Sequence, residues 1–263
     1  MQKKLTINTE KYEIPAIFTC PDDETKVPAM ILCHGTGSDK NEVGNMFVKQ
    51  SEYLAVQGIA SIRFDFAGCG ESKAAQQELT FFGEVEDTVK VYEYLKMQEV
   101  IDTQRIGILG FSQGARVMAE TLKKLPEMKC AVSWSGCCHA GMGVFEGWFT
   151  EYYEKACQNG YARLPMDWRD DLLISKEWFD EIRESSPIKA FEIYEGPVLA
   201  IAGTKDTIVD YHHSEEIVRK CKNKESECVV FEGADHTFCV LTEDKTISEN
   251  VIQKTGEWIK NNI

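Results

Sequence analysis

One serine lies in a sequence pattern that suits nucleophilic catalysis. Residues 110–114 read Gly-Phe-Ser-Gln-Gly, follow an apolar run at residues 105–109 and open an amphipathic stretch that continues to residue 124. A serine on a sharp turn between a strand and a helix projects its hydroxyl above the sheet, and flanking glycines relieve clashes around that turn. The pattern predicts that Ser112 is a nucleophile. The alternative is a turn serine that caps the helix.

A serine hydroxyl is a weak nucleophile until a base takes its proton, and His236 is the best placed of the five histidines. It ends the segment Gly-Ala-Asp-His at residues 233–236, just after a strand predicted at residues 227–231. The loop at the carboxyl end of a parallel strand faces the same edge of the sheet as the serine turn. We therefore expect His236 to be the base. The alternative is a surface-loop histidine that caps the sheet.

The base needs an acid that orients it, and Asp206 meets the same criterion. It closes the segment Gly-Thr-Lys-Asp at residues 203–206, directly after a strand predicted at residues 198–202. Asp210 competes for the role, but it is better placed to cap the helix that follows. We favour Asp206, and the resulting chain order of serine, aspartate and histidine differs from both protease orders.

Acyl transfer also needs donors for the developing oxyanion. The backbone N–H of Gln113, the residue after the serine, is one candidate. The second is expected from residues 34–37, His-Gly-Thr-Gly, where we favour the N–H of Thr36 over that of Gly35. His34 is expected to order this loop, and it is also a candidate for substrate contact. A phosphate-binding turn is disfavoured because the run lacks the Lys-Ser/Thr ending of a P-loop.

Short apolar runs alternate with longer amphipathic segments, which is typical of a parallel sheet with helices on both faces. Strands are predicted at residues 29–33, 59–64, 105–109, 129–134, 198–202 and 227–231. Helices are predicted at residues 41–57, 83–97, 112–124 and 246–260. Two runs that alternate more regularly, residues 4–8 and 12–19, predict an antiparallel hairpin at the edge of the sheet.

Residues 137–194 depart from this alternation of strands and helices, because they contain no clear buried strand and are dense in aromatic and charged side chains. They predict a helical cap, or lid, inserted into a core made of residues 1–136 and 195–263. Four of its side chains are candidates for substrate contact: Trp148, Tyr152, Asp167 and Trp168. For the aromatic candidates the alternative is that they form the cap's own core.

Composition narrows the class of protein. The formal net charge of −14 disfavours a nucleic-acid partner, and no stretch approaches the length of a membrane span. The N-terminus lacks the apolar region of a signal peptide. The ten cysteines show neither Cys-x-x-Cys nor paired Cys/His spacing, so we expect reduced thiols, no metal and no cofactor. The sequence predicts a cytoplasmic protein with a small-molecule partner, and it allows a homodimer.

Five blocks of the sequence, in this order, resemble the α/β-hydrolase superfamily. They are residues 34–37, 63–72, 110–114, 203–206 and 233–236. The hairpin start, the Gly-Phe-Ser-Gln-Gly segment and the helical insertion further resemble bacterial feruloyl (cinnamoyl) esterases. The resemblance implies a triad of Ser112, Asp206 and His236, oxyanion donors at Thr36 and Gln113, and an insertion that covers the triad and forms the acyl pocket.

The function expected from the residues and the resemblance is that of a serine carboxylic-ester hydrolase acting on small acyl or feruloyl-type esters. An acylglycerol lipase or a thioesterase would use the same triad. A prolyl-type peptidase is less favoured, because 263 residues leave no room for its propeller domain. An alternative of another class is a non-catalytic small-molecule binding protein on a hydrolase scaffold.

Overall fold

The computed structural model describes residues 1–22 and 26–263. Ten strands form in these residues: β1 (Gln2–Asn8), β2 (Glu13–Thr19), β3 (Val27–Cys33), β4 (Ala60–Phe64), β5 (Ile101–Phe111), β6 (Ala131–Trp134), β7 (Tyr161–Leu164), β8 (Leu172–Ser175), β9 (Val198–Gly203) and β10 (Glu227–Phe231). The same residues form eight α-helices: α1 (Met46–Val56), α2 (Phe81–Lys96), α3 (Gln113–Lys124), α4 (Glu146–Asn159), α5 (Lys176–Glu184), α6 (Pro187–Ile193), α7 (His212–Lys220) and α8 (Thr246–Asn262).

The main sheet has eight strands in the order β1-β2-β4-β3-β5-β6-β9-β10. Strands β1 and β2 form an antiparallel hairpin at one edge, and β2 also pairs antiparallel with β4. All the remaining neighbours are parallel. This is the mostly parallel α/β-hydrolase sheet expected from the sequence, and the fold prediction is confirmed.

Helices cover both faces of the sheet, which explains why its central strands are apolar throughout. Every residue of β3 and β9 is buried, and side chains of β3 alternate between two separate apolar clusters. Helices α1 and α8 supply the cluster on one face, and helices α2, α3, α6 and α7 pack on the other. The parallel strands therefore end together at one well-packed edge, where loops can carry chemistry.

Two local features differ from the expectation. The helix predicted over residues 41–57 begins only at Met46, because Gly44 has φ of 58° and interrupts the helical backbone. Residues 137–194 contain α4, α5 and α6, as a helical insertion would, but also an antiparallel hairpin of β7 and β8. Each of those strands has only four residues, too few for an alternating pattern to stand out.

The division into a core and a cap remains a prediction. None of the helices in the described part of the chain combines the length and the apolar character that a bilayer crossing requires.

Candidate active site

Ser112 occupies the sharp turn between β5 and α3. Its backbone has φ of 53° and ψ of −116°, a combination that L-residues rarely adopt. Its side chain makes no capping hydrogen bond to α3, so the structure does not support the helix-capping alternative. Strained backbone of this kind persists where the surrounding structure enforces it, and it is frequent at reactive centres.

The two glycines of the Gly-Phe-Ser-Gln-Gly segment are required by close backbone approach. A Cβ on Gly110 would lie 2.2 Å from the carbonyl oxygen of Gly114. A Cβ on Gly114 would lie 2.1 Å from the carbonyl oxygen of Cys33, at the end of the neighbouring strand β3. Any side chain at either position would push α3 away from the sheet and displace the serine.

Ser112, His236 and Asp206 are joined by two hydrogen bonds. The Nε2 atom of His236 lies 3.0 Å from Oγ of Ser112, and its Nδ1 atom lies 2.7 Å from Oδ2 of Asp206. Each residue follows the carboxyl end of its own strand, β5, β9 or β10. Such an arrangement lets an imidazole accept the serine proton while a carboxylate holds the ring.

The carboxylate of Asp206 is fully buried and held on both oxygens. Its Oδ1 accepts the backbone N–H groups of Ile208 and Val209 at 2.8 and 2.9 Å, which leaves Oδ2 for the histidine. Asp210 instead accepts the N–H of His212 and contacts its ring at 2.6 Å on the exposed start of α7. These bonds lower the pKa of Asp210. The geometry thus separates the two aspartates that sequence analysis had to weigh.

The loop that carries His236 is fixed by residues that sequence analysis missed. The hydroxyl of Ser135, just beyond β6, donates to the carbonyl oxygen of His236 at 3.0 Å. The ring of Phe111 packs against the imidazole with 5.3 Å between centroids. Ser135 also has a positive φ of 47°, which is uncommon for a residue other than glycine.

The loop after β3 can offer one of its two candidate oxyanion donors. The N–H of Gly35 already donates to Oε2 of Glu42 at 2.7 Å, so Thr36 is the better candidate. The N–H of Gln113 is the first of α3, where no intrahelical acceptor exists.

The side chains of Thr36 and Gln113 connect the two segments that carry these donors. The Thr36 hydroxyl donates to Oε1 of Gln113, whose Nε2 in turn donates to the carboxyl of Glu84 on α2. Glu84 is buried, and burial raises its pKa well above the ordinary range. Glu84 was not predicted from the sequence, because an acidic residue within an amphipathic helix is ordinarily assigned to the exposed face.

His34 orders the loop after β3 rather than facing a substrate. It is 1% exposed, its Nδ1 contacts the carbonyl oxygen of Gly35 at 2.8 Å, and its Nε2 accepts the N–H of Phe66 at 3.2 Å. Both ring nitrogens are therefore engaged, so the role of loop ordering fits the geometry and polar contact with a substrate does not.

The four candidates in the insertion divide into two groups. Trp148 packs on Phe145 and Trp178, and Tyr152 is 9% exposed, so both belong to the aromatic core of the insertion. Asp167 and Trp168 are exposed in the connection between β7 and β8. The structure does not bring these four side chains into one cluster.

Two arginines dock the insertion on the rest of the chain, and neither was expected from the sequence. Arg169, in the β7–β8 connection, donates to the carbonyl oxygen of Gly37 in the loop after β3. Arg116, four residues after Ser112, is 1% exposed and donates to Oγ of Ser185 at 2.8 Å and to the carbonyl oxygen of Gly141. The insertion is thereby attached to the segments that carry the candidate oxyanion donors.

The loop after β4 is held by a network of ion pairs. Asp65 is fully buried and accepts both the N–H and the ammonium of Lys40, at 2.7 and 2.6 Å. The same ammonium lies 2.8 Å from Glu71, and hydrogen bonds from Lys4 and from Lys40 lower the pKa of Glu71 to about 2. This network joins the loops after β3 and β4 at the carboxyl edge of the sheet.

Known proteins share this architecture. The structure of Est1E from Butyrivibrio proteoclasticus with ferulic acid bound has a TM-score of 0.76 at 20% identity, over 97% of this chain and 99% of that one. The esterase domain of a Rhodothermus marinus protein has a TM-score of 0.73 at 18% identity, over 100% and 99% of the two chains. At these identities the likeness concerns the fold.

Sequence comparisons add relatives and a family. An uncharacterized 31.7 kDa Escherichia coli protein from the traX-finO intergenic region is 32% identical over 130 residues, which are 49% of this chain and 44% of that protein. The chain thus spans less than half the length of this curated relative. The prolyl oligopeptidase family matches residues 46–263, a range that includes Ser112, Asp206 and His236. With that match over most of its length, the chain belongs to the prolyl oligopeptidase family and has the α/β-hydrolase fold.

Proposed function

We propose that this hydrolase is a serine carboxylic-ester hydrolase that works through an acyl-enzyme on Ser112. The observation that carries the proposal is the position of the His236 ring, between Oγ of Ser112 at 3.0 Å and Oδ2 of Asp206 at 2.7 Å. The strained turn at Ser112 and its partial exposure support the same role, because a nucleophile must be both held and reachable.

In the proposed reaction, Oγ of Ser112 attacks the acyl carbonyl as Nε2 of His236 takes the serine proton. The backbone N–H groups of Thr36 and Gln113 stabilise the oxyanion, and Asp206 holds the imidazolium. The proton then passes to the departing alkoxide, which leaves as an alcohol. Water, deprotonated by the same histidine, attacks the acyl-enzyme and releases the carboxylic acid and the free serine.

The proposed substrates are small acyl or hydroxycinnamoyl, feruloyl-type esters. Support comes from the likeness to Est1E with ferulic acid bound, and from an aromatic insertion that contacts the loop after β3 through Arg169. Trp168, which is 61% exposed beside Arg169, is the proposed aromatic contact, whereas Trp148 and Tyr152 contribute through the packing of the insertion. Movement of the insertion as a lid, a homodimer and a cytoplasmic location remain predictions.

Activity of the purified chain on a panel of substrates tests this proposal. The panel contains p-nitrophenyl esters of graded chain length, methyl ferulate, a monoacylglycerol, an acyl thioester and, in view of the family, a prolyl p-nitroanilide. We expect ester hydrolysis that falls roughly 10³-fold or more in Ser112→Ala. The control Ser72→Ala, whose hydroxyl accepts the N–H of Gly68 in a turn, should retain full activity.

The pattern of activity decides among the alternatives. Preference for methyl ferulate supports the feruloyl class, and preference for the thioester, the monoacylglycerol or the anilide replaces it with that class. An ester rate that persists in Ser112→Ala contradicts the mechanism. A folded protein with no activity on any substrate favours the non-catalytic binding protein.

A further inference from the structure

Two segments that leave neighbouring strands converge beyond the carboxyl edge of the sheet. Cys138 and His139 follow β6, while His213 and Glu216 lie three residues apart on α7, which follows β9. Because β6 and β9 are adjacent and parallel, their continuations emerge side by side. Among the residues that the structure describes, these four form the one group whose histidine, cysteine and carboxylate donors all lie within 4.8 Å of one another.

The distances within the group have the size of a metal coordination sphere. Sγ of Cys138 lies 3.2 Å from Nδ1 of His213 and 3.4 Å from Oε2 of Glu216. Nε2 of His139 lies 3.6 Å from the same Glu216 oxygen. A tetrahedral ion with bonds of about 2.0–2.3 Å sets its ligand atoms roughly 3.3–3.8 Å apart. These three donor pairs thus lie at or near tetrahedral spacing, and no pair in the group is more than 4.8 Å apart, so small side-chain shifts would bring all four donors onto one ion.

The types of donor select the ion. Thiolate and imidazole are ligands that Zn²⁺ prefers, whereas Mg²⁺ and Ca²⁺ take oxygen ligands. The charges of one thiolate and one carboxylate balance those of a divalent ion, while the two imidazoles bind as neutral rings. Four protein ligands leave no open position on the ion, as in a structural zinc site.

Burial and access also suit an ion. Cys138 is fully buried and His213 is 9% exposed. The side chain of Glu216 is 29% exposed and that of His139 60%. A surface cavity of about 460 Å³ lined by His139, Glu146 and Glu216 reaches the outer donors. An ion can therefore enter from this side and meet the buried thiol last.

We propose that Cys138, His139, His213 and Glu216 bind one Zn²⁺ ion. When the bond between sulfur and zinc forms, the thiol proton that Glu216 accepts in the metal-free protein passes to water. The ion then joins the first residues of the insertion to the helix that follows the Asp206 loop. No metal was expected from the sequence, because the donors form an adjacent Cys-His pair and a distant His-x-x-Glu pair, neither of which is a familiar zinc spacing.

Zinc binding by the metal-stripped full chain, followed by calorimetry, tests the site directly. Co²⁺ serves as a spectroscopic probe, since coordination of a thiolate adds a near-ultraviolet charge-transfer band to the visible bands of a tetrahedral ion. We expect one Zn²⁺ per chain, a higher melting temperature with zinc, and a Co²⁺ spectrum with the thiolate band.

The chain offers a matched control beside three of the four ligands. Cys138→Ser, His213→Ala and Glu216→Gln should each weaken Zn²⁺ binding by about tenfold or more, and the first should remove the thiolate band. Cys137→Ser, His212→Ala and Glu215→Gln change the same residue types one position away and should leave affinity and spectrum intact. If the variant with the buried substitution Cys138→Ser does not fold, the Zn²⁺ affinity of His213→Ala tests the site instead.

Three results would overturn the proposal. The first is a wild-type chain that retains no zinc after dialysis and shows no thiolate band with Co²⁺. The second is loss of the band to the same extent in Cys137→Ser. The third is unchanged affinity in His213→Ala, which would mean that exposed thiols or histidines elsewhere bind the ion.

Discussion

At the scale of single residues, the contrast between Asp206 and Asp210 shows how environment assigns a role to a side chain. Both are aspartates in one loop, but the side chain of Asp206 is fully buried with two backbone N–H donors and the His236 ring, while that of Asp210 faces solvent beside His212. A buried, fully bonded carboxylate can orient an imidazole and stabilise its charged form. An exposed one is screened by water and contributes little.

Asp206→Asn should lower kcat for p-nitrophenyl ester hydrolysis by roughly 10²- to 10⁴-fold with a small change in KM, because the amide favours the wrong histidine tautomer. Steady-state kinetics measures this. Asp210→Asn is the matched control and should leave kcat unchanged. Equal losses in the two variants, or a greater loss in Asp210→Asn, would contradict the assignment of the acid.

Residues that follow strand ends could be located from the sequence, and residues that act through another side chain could not. Ser112, Asp206 and His236 each follow a short apolar run, so their shared edge is a consequence of parallel pairing. Glu84 belongs to the same region only because α2 packs beside α3 and brings its carboxyl to Gln113. No local pattern along the chain encodes such a contact.

At the scale of elements, the docking of the insertion depends on a buried guanidinium. Arg116 projects from α3 and donates to three acceptors: Ser185 Oγ and the carbonyl oxygens of Gly141 and Ile182. These acceptors lie near the two ends of the insertion. One side chain therefore holds both ends against the helix that begins after Ser112.

Arg116→Ala should lower the free energy of unfolding by about 2–4 kcal/mol, because it leaves buried acceptors without the charged donor and removes packing. Urea denaturation measures the change, and faster proteolysis within residues 137–194 should accompany it. The control Arg219→Ala, at a side chain that is 70% exposed, should change stability by less than about 0.5 kcal/mol. An Arg116→Ala variant as stable as the control would disprove the docking role.

The elements of the main sheet were predictable and those of the insertion only partly so. Long apolar runs and the amphipathic pattern of α8 predicted their elements to within a few residues. The hairpin of β7 and β8 was not predicted, because four-residue strands show too little periodicity in the sequence. These strands are stabilised by packing on α4 and α5. Tertiary contact, rather than local preference, decides such short strands.

At the scale of the whole molecule, some of the many acidic side chains, including that of Asp87, are buried in the interior. Burial raises the pKa of Asp87 from 3.8 to about 7, although the hydroxyl of Tyr12 donates to it at 2.8 Å. The folded state therefore binds a proton that the unfolded state releases near pH 4. The stability that this proton provides is present in acid and is lost as the pH rises through about 7.

Between pH 5 and pH 8, this group should reduce the free energy of unfolding by about 1–3 kcal/mol. Asp87→Asn keeps an acceptor for Tyr12 but cannot titrate, so its stability should fall less over that range. Urea denaturation at both pH values provides the comparison. Glu93→Gln, at an exposed position on the same helix, should retain the wild-type slope. The pKa shift is refuted by equal slopes in Asp87→Asn and the wild type.

Mapping of a covalent adduct shows whether His236 makes the Ser112 hydroxyl a nucleophile. The full chain is treated with a fluorophosphonate, digested, and analysed by peptide mass spectrometry. We expect one rapid adduct on the peptide that contains Ser112, none in Ser112→Ala, and much slower labelling in His236→Ala. An unlabelled wild type, or labelling at another serine that persists in Ser112→Ala, would contradict the claim.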